Sequence, residues 1–263
     1  MKKIILPLLA LLALGSTLQA QPVYSNIVGM YKVPKIAGGL QLLGVSIGDD
    51  TTLSQLIDIS QFTGSFFTAG ADKIIAFDPS TQSYTTYAKY DNSALGGDVV
   101  AWRLESNFNG ANVDPVLPPG SAVFIKAVAG TDSDIIVSGD VPVTETTSIE
   151  IIQGLQMISL PFTTKIDLNS ADAGFISSGA TGSFFTAGSD RIITWNSTTQ
   201  GYVTYALYDN SALGGSIVEW RPESSFNTPA SGPIEIEVGS GFWYKALNGF
   251  TWTPTNPYFN NLD

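Results

Sequence analysis

The chain contains one stretch of sequence twice. Residues 63–108 return as residues 181–226 at a constant offset of 118 without a gap, and 31 of the 46 aligned positions are identical. Similarity at this level indicates duplication of a folded unit. We therefore predict two homologous domains, residues 21–140 and 141–263, each large enough to bury its own core. One continuous sheet shared by both copies is the alternative.

Short strand-like segments between Gly- and Pro-rich turns predict an all-β fold. In the first copy they cover 27–33, 40–46, 73–78, 84–90, 99–104, 122–127 and 135–137. About seven short strands at this spacing are typical of a sandwich or barrel. Thr52-Leu-Ser-Gln55 resembles a capping box and predicts one helical turn through Ile59, and Asn169 or Ser170 can begin its counterpart. We expect two β-sandwich or barrel-like domains, each with a short helical turn.

Three local patterns predict β-hairpins. Pro79-Ser-Thr-Gln82 separates strands 73–78 and 84–90, and proline presets the geometry of such a turn. A turn at Gly130 is expected to pair 122–127 with 135–137. Asn248-Gly249, a strong hairpin signal, is expected to pair 242–247 with 250–253.

Alternation along the strands predicts which side chains are buried. Both faces of strand 73–78 are largely apolar, so we expect this strand to be covered on both sides or to be central to a sandwich. Trp102 is expected in the core, with Arg103 and Glu105 forming an ion pair of small energetic value on the opposite face. The same pattern recurs at Trp220-Arg-Pro-Glu223. The alternative interpretation makes these charged residues polar contacts in a ligand groove.

The first twenty residues have the pattern of a signal peptide. Lys2 and Lys3 precede an apolar run from Ile4 to Leu14, and Leu18-Gln-Ala20 is a suitable cleavage site. The run is too short to span a bilayer. We expect cleavage after Ala20, a secreted, periplasmic or cell-surface location, and no transmembrane segment after signal removal. A retained membrane anchor is the less favoured alternative.

Composition excludes several classes of function. The chain has no histidine and no cysteine, so Ser-His-Asp and Cys-His catalysis, disulfides and zinc sites built on these residues are unavailable. Without Lys2 and Lys3, ten basic residues face 23 acidic ones, a net charge of −13. Nucleic acid binding needs clustered Lys and Arg, so we expect none. A bound metal would be a hard cation on oxygen ligands, and calcium is the natural choice outside the cell.

Aromatic residues provide candidate ligand-binding positions. Tyr84 begins a row of side chains on one strand face that serves either for packing, the favoured interpretation, or for stacking on sugars. Four of the five tryptophans lie in the second copy, which makes that half the better candidate for binding through flat aromatic surface. The candidates are Tyr84, Trp195, Trp243, Trp252, Arg103 and Arg221.

The loop Tyr90–Gly97 is identical in Tyr208–Gly215. Its acidic and amide side chains offer oxygen ligands for a metal, but the loop lacks the alternating spacing of a calcium-binding loop. The same residue types also stabilise turns by bonding to the local backbone, which is the favoured interpretation. The candidate calcium ligands are Asp91, Asn92, Asp209 and Asn210.

The chain has a Gly-Leu-Gln-Leu start to its first copy, a strand–turn–Tyr hairpin, a Trp-bearing strand and a Pro-Gly-Ser lead into a Phe-rich strand. In these motifs it resembles a loosely defined family of secreted bacterial tandem β-repeat proteins of unknown function. The resemblance supplies no catalytic or binding residues. Our hypothesis is a non-enzymatic structural, cell-surface or adhesive protein whose partner is itself or a cell-surface polysaccharide. The alternatives are a pair of carbohydrate-binding modules, calcium-assisted or not, and a glycoside hydrolase relying on carboxylates alone.

Overall fold

The computed structural model describes residues 27–49, 51–128, 130 and 132–259; the signal peptide and its cleavage site lie outside this part. The strands of the first half are β1 (Val28–Lys35), β2 (Leu40–Gly44), β3 (Lys73–Asp78), β4 (Ser83–Asp91), β5 (Val100–Leu104), β6 (Ala122–Lys126) and β7 (Ser133–Asp140). Those of the second half are β8 (Ile149–Ile151), β9 (Gly154–Ser159), β10 (Ile166–Asp167), β11 (Arg191–Asn196), β12 (Gly201–Asp209), β13 (Val218–Pro222), β14 (Glu235–Ile236), β15 (Gly241–Ala246) and β16 (Phe250–Trp252). None of the helices described is long and apolar enough to cross a membrane.

Each half builds the same antiparallel sheet. The first has the strand order β2-β6-β3-β4-β5, and the second has the order β9-β15-β11-β12-β13. A two-stranded ribbon accompanies each sheet, β1 with β7 and β8 with β16, while β10 pairs with β14. The prediction of an all-β fold is confirmed, and the described sheets are all open rather than closed into a barrel.

The helical segments are short. Helix α1 (Leu53–Leu56) begins after Thr52, whose N–H donates to the side-chain oxygen of Gln55 at 2.9 Å, as in a capping box. Helix α2 (Phe175–Ser178) follows a single 3-10 turn, at which the Ser170 hydroxyl accepts from the N–H of Ala173 at 3.3 Å. The predicted helical turns are therefore present in both halves.

Two of the predicted hairpins are wrong. β6 does not pair with β7, and β15 does not pair with β16. Both edges of β6 are occupied by β2 and β3, and both edges of β15 by β9 and β11, so the chain that leaves either strand must cross to the ribbon. Asn248-Gly249 accordingly turns the chain from β15 of the five-stranded sheet into β16, which pairs with β8. The hairpin around Pro79–Gln82 is present and joins β3 to β4.

Each sheet covers a core with its ribbon. In the first half the buried side chains come from the ribbon, the sheet and α1, and include Val33, Leu53, Ile74, Trp102 and Val137. Trp102 and its counterpart Trp220 are both buried, as predicted. Burial of each large apolar side chain contributes roughly 1.5–3 kcal/mol, so each half has a substantial core of its own.

The outer faces of the two sheets pack against each other. Leu42 and Phe124 of the first half meet Met157 and Trp243 of the second in one apolar cluster, to which Ile75 also contributes. This second layer explains the apolar residues on both faces of β3, because one face covers the core and the other faces the second half. The prediction that this strand is covered on both sides is confirmed.

Equivalent residues join the two halves from each side. Gln82 and Gln200, at corresponding hairpin turns, adopt φ angles of 52° and 51°. Gln82 bonds to the main chain of Leu155, and Gln200 bonds to the main chain of Leu40. Main-chain bonds are exchanged in the same way, at 2.8 Å each, from Gly44 to Gly239 and from Ser159 to Gly120. These reciprocal contacts give the halves an approximate two-fold relationship.

Candidate binding site

The structure places the tryptophan candidates in packed positions. Trp252 is fully buried in the second core and donates its Nε1–H to the carbonyl of Ala173 at 2.6 Å. Trp243 is buried between the sheets, with its ring centroid 6.3 Å from that of Phe124. Trp195 is half-buried at the same interface and donates its Nε1–H to a main-chain carbonyl of the first half at 2.9 Å. Trp243 and Trp252 therefore present no open ring face to a ligand.

Tyr84 remains exposed on β4. Its ring makes an edge contact with Phe77 at a centroid distance of 5.1 Å. Partial burial, together with the nearby Tyr202, raises the pKa of Tyr84. Tyr202 occupies the equivalent position on β12 and is exposed as well. The two tyrosines lie near each other, because Tyr202 influences the pKa of Tyr84.

Arg103 does not pair with Glu105, so that predicted ion pair is wrong. Its guanidinium lies over the ring of Tyr90, 3.6 Å from the centroid, and donates to the carbonyl of Phe108 at 3.2 Å. Glu105 bonds instead to Lys73. The reason is that Glu105 begins a 3-10 turn after β5, where the two-residue alternation of a strand no longer applies. In the second half Arg221 lies over Tyr208, and Glu223 pairs with Arg191.

The candidate calcium ligands hold turns together. Asp91 accepts from the hydroxyl and the N–H of Ser93 at 2.6 and 2.9 Å, and these bonds lower the pKa of Asp91. The side-chain oxygen of Asn92 accepts from the N–H of Val99 at 2.9 Å. Asp209 and Asn210 make the corresponding main-chain contacts. The described residues include no group of three or more carboxylates placed to hold a metal.

The two longest identical runs of the repeat meet in space. Residues 63–70, which we call the Phe loop, lie beside residues 90–97, which we call the Asn loop. Ser65 links the loops, because it forms a bridge with Tyr90 and its carbonyl accepts from the N–H of Asp91 at 3.0 Å. Ser183 makes the same link in the second half. Each half therefore carries the same pair of loops at the same end of its sheet.

Loop geometry explains only some of these identities. A Cβ at Gly64 would lie 2.5 Å from that of Asp91, so the close approach of the loops requires glycine there. Phe67 contacts the ring of Phe66 at a centroid distance of 4.1 Å, yet Phe67 and Leu95 remain 64% and 66% exposed. Their counterparts Phe185 and Leu213 are 63% and 67% exposed. Sequence reasoning missed these four residues, although the identical runs were the signal that could have identified them.

A row of basic side chains crosses the outer face of each sheet. In the first sheet Lys126 lies opposite Lys73, which lies opposite Ala88, which lies opposite Arg103. Directly opposite residues share a face, with Cβ atoms about 4.5–5.5 Å apart. We call Lys126, Lys73 and Arg103 the first cationic row, and their counterparts Lys245, Arg191 and Arg221 the second. These rows contain six of the ten basic residues that follow position 20.

Folding accounts for Arg103 and Arg221, which lie over tyrosine rings, but not for Lys126 opposite Lys73, because like charges directly opposite in a sheet destabilise it. Within the part of the chain that is described, Lys126 is exposed and has neither an ion-pair nor a hydrogen-bond partner, whereas Lys73 is paired with Glu105. The second row is more nearly neutralised, because Glu219 pairs with Arg221 at 2.7 Å. The first half has Ala101 at that position. The first row therefore keeps more uncompensated positive charge.

A depression of about 300 Å³ opens beside the first cationic row. It is lined by Ala69, Ala71, Lys73, Lys126, Ala127 and Val128. Because Ala69 belongs to the Phe loop, the Phe loop and the first cationic row border the same depression. A larger cavity of about 850 Å³ lies near the linker between the halves, but prolines, threonines and the acidic Asp49 and Asp140 line it, without a basic side chain.

No protein family, curated protein or solved structure matches this chain. The geometry of its own residues offers one feature in duplicate: a pair of loops with exposed apolar side chains at the end of a sheet that carries a cationic row.

Proposed function

We propose that this chain is an exported, non-enzymatic β-repeat protein with an adhesive or surface-binding role, which attaches through one equivalent site in each half. Export with cleavage after Ala20, and kinship with secreted bacterial tandem β-repeat proteins, belong to this proposal. The observation that carries it is the exposure of Phe67 and Leu95, and of their counterparts, within loops that are identical in both halves.

Two sites on one chain suit attachment to a repetitive surface. Once one site is bound, binding at the other becomes intramolecular, and the overall affinity can exceed that of a single site by about 10²–10⁴. The two halves are held together by an apolar cluster and by reciprocal hydrogen bonds, so the sites are presented in a fixed arrangement. A fixed arrangement reduces the ordering cost of the second contact.

The positions of the acidic side chains support a binding role rather than hydrolysis. A histidine-free glycosidase needs two carboxylates about 5–10 Å apart on either side of one bond. Glu105 and Glu223, the glutamates at equivalent positions of the duplicated block, belong to separate halves, and each is paired with a basic residue of its own half.

Attachment measurements test the proposal. The variant Phe67→Ser/Leu95→Ser/Phe185→Ser/Leu213→Ser is compared with Met30→Ser/Val143→Ser, which removes exposed apolar side chains outside the loops. Three sensor surfaces are used: one coated with alkyl chains, one with polysaccharide and one with the protein itself. We expect wild type and control to attach to at least one surface, and the loop variant to bind at least about tenfold more weakly. A wild type that stays monomeric and attaches to none, or a loop variant that matches the control, would refute the proposal.

A pair of carbohydrate-binding modules is the second candidate. It is supported by the depression that Ala69 of the Phe loop shares with Lys73 and Lys126. The exposed Tyr84 and Tyr202 add aromatic surface elsewhere on the same outer faces. If the protein is a pair of carbohydrate-binding modules, we expect it to attach to the polysaccharide-coated sensor surface.

A further inference from the structure

We infer that the depression beside the first cationic row binds a carboxylate-bearing sugar, with Lys126 contacting the carboxylate. This inference rests on the proposed function and names the class of ligand for one of its sites. It concerns the first half, although the second half contains more of the tryptophans.

Charge is the first argument for an anionic ligand. Lys126 and Lys73 face each other across adjacent strands, and the sheet gains nothing from that arrangement. An anion placed between them would relieve the repulsion and give the exposed Lys126 its missing partner. None of the residues that line the depression is acidic, and Glu105, which lies outside the lining, pairs with Lys73 and leaves Lys126 as the cation without a carboxylate partner.

Size and shape limit the ligand. A volume of about 300 Å³ is at the lower end of the range for small-molecule sites and suits one or two sugar units. The floor and walls are formed by small or aliphatic side chains, Ala69, Ala71, Ala127 and Val128, beside the two lysines. Ala71 and Ala127 are buried, whereas Ala69 is exposed and Val128 half-buried, so the site combines a small apolar patch for one edge of a ring with a cation for its substituent.

A sugar acid suits the surroundings better than an extended polyanion. The chain has a net charge of −11, and its basic residues are concentrated in the cationic rows, so the remaining surface repels a long anionic polymer. Repulsion is screened beyond about 8 Å at physiological salt, which leaves a short anionic segment free to bind locally. The loop that supplies Ala69 also carries Phe67, an exposed aromatic side chain outside the lining of the depression.

Isothermal titration calorimetry with matched probes tests the inference. The probes are a short oligogalacturonate, its neutral methyl ester and a glutamate peptide of equal charge. The proteins are the full mature chain, Lys126→Glu and the control Lys32→Glu, which reverses an exposed lysine on β1. Unfolding curves establish first that both variants fold like the wild type.

We expect the wild type and Lys32→Glu to bind the oligogalacturonate, with an affinity that falls as salt is raised. Lys126→Glu should bind it at least about tenfold more weakly, because a charge-assisted contact is lost. Equal binding of the methyl ester would overturn the role of charge. Equal or tighter binding of the glutamate peptide would overturn the assignment to a sugar, and an unchanged Lys126→Glu would overturn the site.

The two proposals fail in different ways. If the wild type does not bind oligogalacturonate but its attachment to the alkyl or protein-coated surface still depends on the Phe and Asn loops, only the sugar inference is wrong. If attachment does not depend on those loops at all, the adhesive proposal is wrong whatever the calorimetry shows.

Discussion

A buried aspartate joins three parts of the first half. The carboxylate of Asp72 accepts from the N–H groups of Thr63 at 2.7 Å and Val128 at 2.8 Å. Its third partner is the ammonium group of Lys35, at 3.2 Å, which is buried with it. The aspartate therefore fixes the start of the Phe loop to the chain that leaves β6.

Asp190 makes the equivalent contacts in the second half, but its third partner is an uncharged side chain. It accepts from the N–H groups of Thr181 at 2.9 Å and Leu247 at 2.7 Å. Its third contact is the hydroxyl of Tyr244, at 2.9 Å. The asparagine variants of the two aspartates lose the same main-chain contacts, so the difference between them isolates the buried charge.

The two substitutions are expected to differ in cost. Asp72→Asn leaves the ammonium group of Lys35 without a counter-charge, with the carbonyl of Gln61 at 2.8 Å and the ring of Phe62, 5.9 Å to its centroid, as its remaining contacts. Removing one partner of a buried ion pair costs about 3–5 kcal/mol, whereas replacing a carboxylate that accepts from an uncharged hydroxyl leaves no buried charge unpaired and costs about 1–3 kcal/mol. We expect Asp72→Asn to lower the free energy of unfolding by about 2 kcal/mol more than Asp190→Asn does.

Urea unfolding at neutral pH, followed by circular dichroism, measures both losses. Lys35→Met added to Asp72→Asn removes the stranded charge and should recover part of the stability, because an apolar replacement of a buried pair is often tolerated. Equal losses for the two asparagine variants, or no recovery in the double variant, would refute the reasoning.

Four further predictions concern burial, pH and metal. Burial lowers the pKa of Lys89, and the second half has Leu207 at the equivalent position. Lys89→Leu should therefore leave the free energy of unfolding in urea unchanged or raise it by about 1 kcal/mol. A loss of that size would contradict this prediction. Burial raises the pKa of Tyr244 well above 10.0 in the folded protein. The contribution of the neutral hydroxyl to stability is therefore complete below about pH 10 and is lost as pH rises towards the folded pKa. Tyr244→Phe should make the loss of stability at alkaline pH less steep, which unfolding curves across that range will show. Trp243→Ala should lower the free energy of unfolding by about 3–5 kcal/mol. Trp243→Phe, which copies the first-half residue Phe124, should lower it by less than about 1.5 kcal/mol. Equal losses would show that packing between the sheets does not matter. Excess calcium should leave the Tm unchanged, because Asp91 and Asn92 already bond within their turn, and a clear rise in calorimetry would return them to the list of ligands.

Local patterns predicted local structure well. Alternation and turn chemistry act over a few residues, so the hairpin of β3 and β4, the two helical turns and the burial of Trp102 could be expected from sequence. The pairings of β7 and β16 could not, because they depend on which sheet edges remain free after the other strands have paired. The error at Glu105 has a local cause, because the strand ends at Leu104 as predicted and Glu105 already belongs to the following 3-10 turn, where strand alternation no longer applies.

The amino-acid sequence by itself determined the duplicated block, the all-β composition of the fold and the lack of histidine and cysteine chemistry. Only the tertiary structure decided which side chains solvent reaches. Face-to-face packing of the two sheets buries Trp243, which a lone repeat would expose, and leaves Phe67 and Leu95 outside. Lys73 and Lys126, far apart in sequence, meet because β3 and β6 are neighbours. Residue type specifies what chemistry a side chain can supply, but its accessibility depends on contacts between distant segments, which no short-range pattern encodes.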